Sequence, residues 1–177
     1  KTLSLLGAEI DMRASTLVAG LSHYLPVRQG IHGVGDTPEI LSRIYEDPIK
    51  LCILQRALDA DLKYYVGYLR QNHVGFELTR IINVAQIRDY LDAVLPQHTE
   101  LNVFIEDVSW LVEMFTCLFD LENVGLRLKV LATTMCPRFH TDKVPCRLIT
   151  TYAGTGTEWL DGKLIDRAML NAGNGYK

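Results

Sequence analysis

Three features of the sequence predict an α+β fold. Apolar residues recur at helical 3-and-4 spacing through the first two thirds, β-type alternation begins near residue 125, and Pro and Gly punctuate the joints between short elements. At 177 residues one domain is expected over 1–177. Its 1–122 part should be mainly helical α+β, and its 123–177 part β-rich. Hydrophobic residues make up 48% and charged residues 22%, which excludes a disordered tail, a collagen-like repeat and a disulfide-dense miniprotein. Lys plus Arg total 18 against 21 Asp plus Glu, for a net charge of -3, so a nucleic acid is not an expected partner.

The elements follow in chain order. Asp11–Tyr24 has a helical face of Leu17, Val18, Leu21 and Tyr24, stopped by Pro26. Residues 28–36, with Gly30, Gly33 and Gly35, read as loop. Thr37-Pro38-Glu39 is a helix start, with Ile40, Leu41 and Ile44 inward and Asp47-Pro48 as the stop. Ile49–Leu54 reads as a strand. Asp59–Gln71 reads as a helix with Leu62, Tyr65, Val66 and Leu69 on one stripe. Val74–Val84 is a strand, and Ala85–Leu95 a helix closed by Pro96.

The strongest period is Glu100–Leu121, where Leu101, Phe104, Ile105, Val108, Leu111, Val112, Phe115, Leu118 and Phe119 form one face and Glu106, Asp107 and Glu113 fall on the other. It should be the spine of the core. Leu126-Arg127-Leu128-Lys129-Val130 then alternates as a half-exposed strand, residues 135–146 form a polar loop, and Arg147–Tyr152 is a second β-type run. Gly154-Thr155-Gly156 is a tight turn after which Thr157–Leu160 starts a further strand.

No apolar run is long enough to cross a bilayer; the best, Val108–Phe119, carries Glu113. The first residues lack a secretory pattern. Cys52, Cys117, Cys136 and Cys146 are too sparse for a disulfide framework, and Cys52 and Cys117 sit in apolar patterns as buried thiols. A cytoplasmic protein is expected, with no membrane partner. The chain opens on Lys1 and closes on a Gly-rich stretch, so the native chain is expected to continue past Lys177.

Chemistry concentrates in Cys136-Pro137-Arg138-Phe139-His140-Thr141-Asp142-Lys143-Val144-Pro145-Cys146-Arg147. On an extended backbone His140 and Asp142 point to the same side. That is how two members of a 2-His-1-carboxylate triad reach Fe(II). The same span offers Cys136, His140 and Cys146 to Zn(II), with Asp142 as a fourth ligand or a hydrogen-bond partner of one. The competing account is chance: a His beside a carboxylate is often only a hydrogen-bonded pair. Arg147 could hold a carboxylate cosubstrate bidentately, though a surface ion pair is its commoner role. His32, in the Gly-rich loop, is the best remote ligand; His23, His73 and His98 read as surface or loop residues. Tyr64, Tyr65 and Tyr68 have helical spacing and read as packing.

Cys136–Asp142, Val144–Leu148, Thr150–Tyr152 and Gly154–Leu160 together resemble the signature of the bacterial domain-of-unknown-function 1826 family. Ile44-Tyr45-Glu46, Gln55-Arg56 and Asp120–Leu128 agree with it. The resemblance runs from about Thr37 to Trp159 and brings no established activity. It implies a further β-rich stretch with another His, and a more distant similarity to cupin-like iron oxygenase barrels. The C-terminal region would then be a cupin-like barrel, incomplete in these residues. Three readings stay open. One is a metal-binding protein with His140 and Asp142 as iron ligands, in its enzymatic form a 2-oxoglutarate-type oxygenase acting on a small molecule. The second is a non-catalytic zinc protein of metal homeostasis built on Cys136, His140 and Cys146. The third is an interaction domain whose loop binds nothing.

Overall fold

The computed structural model describes residues 7–12, 32–132, 144–154 and 156–159. Helices and strands alternate in the α+β manner expected. The strands are β1 (Gly7–Met12), β2 (His32–Gly35), β3 (Leu51–Leu54), β4 (Glu77–Asn83), β5 (Asn123–Val130) and β6 (Arg147–Thr151). The helices are α1 (Ala60–Asn72), α2 (Ile87–Val94) and α3 (Leu101–Phe119).

Four strands form a sheet in the order β4-β5-β1-β6. β4 is antiparallel to β5, whereas β1 runs parallel to both β5 and β6. β2 and β3 pair in parallel as a separate two-stranded sheet. Among the described residues the larger sheet is open, and no closed barrel is formed.

The core lies between the larger sheet and the helices. β5 alternates strictly: Val124, Leu126, Leu128 and Val130 are buried while Gly125, Arg127 and Lys129 face the other way. On that second face Lys129 Nζ meets Glu77 at 2.7 Å and Arg127 Nη2 meets it at 3.4 Å across the β4–β5 pair. α3 turns Phe104, Val108, Leu111, Val112 and Phe115 inward. Each such side chain contributes about 1.5–3 kcal/mol by leaving water, so α3 is the spine its period predicts. The helix ends at Asp120 in the left-handed region, φ 51°, a conformation Asp tolerates at a C-cap. α1 buries all four residues of its expected stripe, Leu62, Tyr65, Val66 and Leu69. Its cap is Asp59, whose carboxylate accepts from the Leu62 N–H at 2.8 Å.

Several expectations are corrected. Asp11 and Met12 belong to strand β1, not to a helix; the rest of the helix expected over Asp11–Tyr24 lies outside the described residues. The glycine-rich stretch is not all loop, because His32–Gly35 forms β2. Its glycines admit close packing rather than a turn: a Cβ on Gly35 would sit 3.0 Å from the Ile40 Cβ. The segment after Thr37 is a 3-10 helix over Pro38–Tyr45, with no side-chain cap and no fully buried residue. Residues 156–159 are not a strand. Cys117 is exposed, off the buried face of α3, and Cys52 is only half-buried, on a strand none of whose residues is fully buried. No described helix is long and apolar enough to cross a membrane.

Candidate functional site

The chemistry-bearing segment is a crossover. β5 ends at Val130, opposite Met12, and β6 begins at Arg147, opposite Gly7. Both strands run parallel to β1, one on each side of it. Cys136, His140 and Asp142 belong to this crossover and lie outside the described residues.

The two ends of the span are described. Cys146 sits just before β6, half-buried and packed against the core. Burial pushes its thiol above the ordinary cysteine value, a backbone hydrogen bond pulls it back, and the nearby Cys52 thiol adds to the rise. Arg147, the first residue of β6, is half-buried and engaged within the fold.

Among the described residues no three His, Cys, Asp or Glu side chains gather as a metal-holding group. The histidines have other company. His98 Nδ1 lies 2.6 Å from Glu100, and its ring lies 4.3 Å from that of Tyr68. Nε2 of His73 meets the Tyr68 hydroxyl at 3.1 Å. Both are half-buried residues of the connections between helices and strands, in keeping with a loop reading, and His98 also packs against Tyr64 and Tyr65. His32, the expected remote ligand, stands on β2 with its ring 4.9 Å from that of Trp159. Its Nδ1 is enclosed and has no hydrogen-bond partner among the described residues.

The most organised polar group was not foreseen. Asp107, expected on the solvent side of α3, points inward with its side chain only 15% exposed. It accepts from Nη1 of Arg56, from Nη2 of Arg56 at 3.0 Å, and from the Tyr152 hydroxyl. Nη2 of Arg56 also donates to Thr150 Oγ1 at 3.3 Å, and the guanidinium lies 5.7 Å from the Trp110 ring centre and 5.6 Å from that of Tyr152. Burial opposes the charge on Arg56, but the bonds to Asp107 outweigh it and hold the guanidinium above its usual value. Burial first, and then the Asp107 charge, keep the Tyr152 phenol protonated well above its ordinary range.

This group joins three elements: the chain leaving β3, the middle of α3 and the end of β6. Both Nη atoms of Arg56 are committed to Asp107 and Thr150, so Arg56 acts as an anchor for β6 rather than a receptor for a bound carboxylate. Two pieces noted in the sequence, Gln55-Arg56 and Thr150-Thr151-Tyr152, are thereby brought into one place. Their joining partner, Asp107, carried no signal beyond being an acidic residue in a helical pattern.

Comparison with protein families matches residues 35–176 to the family described as protein of unknown function (DUF1826). The match covers most of the chain, which therefore belongs to that family. It leaves β1 outside the matched range. No curated protein and no solved structure matches the chain.

Proposed function

We propose that this member of the domain-of-unknown-function 1826 family binds a divalent metal through the β5–β6 crossover. Cys136, His140 and Cys146 are its ligands, and Asp142 is the fourth ligand or the partner that orients His140. Thiolates with an imidazole favour zinc. The observation that supports this reading best is Cys146: it closes a span with four potential ligands and is fixed at the head of a paired strand. A ligand held by a strand keeps its position and lowers the ordering cost for the rest. The protein is then a non-catalytic zinc protein of metal homeostasis, one domain acting in the cytoplasm, where free thiols persist.

A second reading is supported by the spacing of His140 and Asp142. Those two side chains would hold iron(II), with a third ligand beyond these residues. Arg147 would anchor 2-oxoglutarate, and the C-terminal region would be part of a cupin-like barrel. Iron would supply dioxygen activation when bound.

Elemental analysis of the full chain, purified without chelator, tests both. The zinc reading expects about one zinc per chain, lost in Cys136→Ser/Cys146→Ser. The iron reading expects about one iron per chain, lost in His140→Ala/Asp142→Ala and kept in the cysteine variant. Metal content that is zero, or equal in all three proteins, rejects metal binding at this segment.

A further inference from the structure

Away from the crossover, the connection between α2 and α3 meets α1 at a histidine. The Tyr65 hydroxyl donates to the Pro96 carbonyl at 2.9 Å, which fixes this connection onto α1. Two residues on, the His98 ring lies 5.6, 5.9 and 4.3 Å from the rings of Tyr64, Tyr65 and Tyr68. Tyr65 is fully buried and Tyr64 exposed, so His98 sits where the core meets solvent. The His98 carbonyl accepts from the Leu101 N–H at 3.2 Å, at the first residue of α3. His98 therefore touches α1 and the start of the spine helix together.

Its Nδ1 faces two groups that ask for opposite protonation. The backbone N–H of Glu100 donates to Nδ1 at 3.4 Å, which requires a lone pair there. Oε2 of Glu100 lies 2.6 Å from the same nitrogen and is an acceptor, which requires a proton there. Only the backbone contact is aligned as a hydrogen bond. Oε2 is enclosed and has no hydrogen-bond partner among the described residues, a costly state for a carboxylate oxygen. The other titratable groups around the ring come from α1: the three tyrosines, and beyond Tyr68 the His73 ring, whose Nε2 meets the Tyr68 hydroxyl at 3.1 Å.

We propose that His98 is a proton-operated switch at the start of α3, whose charge state decides whether the backbone or the carboxylate of Glu100 is bonded to it. With the imidazole neutral, Nδ1 accepts from the Glu100 N–H and Oε2 stays unpaired. Protonation removes that acceptor and gives Oε2 a donor already within reach. The hydrogen bond passes from the main chain to the side chain of one residue, the residue that caps α3. The tyrosine rings favour the same charged state, because an imidazolium is drawn to their electron-rich faces. Imidazoles ordinarily change charge between about pH 5 and 8, so the exchange belongs to the physiological range. The switch is independent of any metal at the crossover.

The test is nuclear magnetic resonance of the full wild-type chain, labelled with nitrogen-15 and carbon-13 and without added metal, from about pH 5 to about pH 8.5. Long-range proton–nitrogen spectra read which ring nitrogen of His98 carries hydrogen, and scalar coupling across the N–H···N bond reads the Glu100 contact directly. At the alkaline end the expected state is a proton on Nε2, a bare Nδ1 and a coupling from the Glu100 N–H to Nδ1. At the acid end both ring nitrogens are protonated, the coupling is lost and the Glu100 carboxyl carbon has shifted in step with the ring. In His98→Gln that carboxyl step should be absent. A proton on Nδ1 at the alkaline end, no coupling there, or a coupling that survives at the acid end each overturns the proposal. These readings come from the wild-type chain, so a misfolded variant does not blunt them.

Discussion

The face of α3 that packs on β5 and the corner where α3 meets β6 are held by opposite kinds of interaction. On the first, Val108, Val112 and Phe115 belong with Leu126 and Leu128 to one apolar core cluster. On the second, one carboxylate, Asp107, holds a guanidinium and a phenol out of water. Apolar packing is distributed, so losing one contact costs one contact. A buried ion pair is concentrated, because removing one partner leaves the other charged and desolvated. The two regions share a helix and differ in how they fail.

The largest expected effect lies at the polar corner. Asp107→Ala leaves Arg56 without its counter-charge and Tyr152 without an acceptor, and should cost about 3–5 kcal/mol in urea unfolding. Replacing the pair together, Arg56→Met with Asp107→Leu, should cost far less than the sum of the single changes. Additive losses would show that the corner behaves like the apolar face and would erase the contrast. Leu126→Ala in the apolar core comes next, at about 3 kcal/mol, with no rescue from a second site.

A smaller effect should appear at alkaline pH. The Tyr152 phenol titrates well above its ordinary value in the fold, pushed there by burial, and burial raises Tyr65 in the same direction. In the unfolded chain both ionise near a pKa of about 10. The folded state then holds more protons than the unfolded one above that pH. The stabilisation is complete below about pH 10 and is lost as pH rises beyond it. Thermal melting from pH 8 to 11 should show this decline, shallower in Tyr152→Phe; an unchanged slope would place the burden on Tyr65 alone. The smallest change is at the start of α1, where Asp59→Ala removes the cap on Leu62 and should cost about 1 kcal/mol by the same unfolding measurement.

What the sequence made legible follows the same division. The stripe Leu62, Tyr65, Val66 and Leu69, the face of α3 and the alternation of β5 are local patterns, and each is buried as its period requires. β1 and β2 were not legible, because a parallel strand is defined by partners far along the chain and not by its own alternation. Gly33 and Gly35 looked like turn residues when their lack of a side chain serves close packing against Ile40. Asp107 has helical spacing with other acids, and nothing local tells a solvated carboxylate from one that turns inward to an arginine fifty-one residues away. Of the candidate site, Arg147 opens the expected strand and Cys146 lies just before it, in the expected loop, whereas Cys136, His140 and Asp142 lie outside the described residues.

The position of β1 between β5 and β6 has a consequence for how the protein is made. Its neighbours on both sides are translated more than one hundred residues after it. At about 5–20 residues per second the helices and the β4–β5 pair can assemble while β1 still has no complete slot. The sheet is completed by a segment synthesised well before the strands it pairs with. Such long-range pairing is intrinsically slow, and until it happens the facing edges of β5 and β6 stand open to other chains.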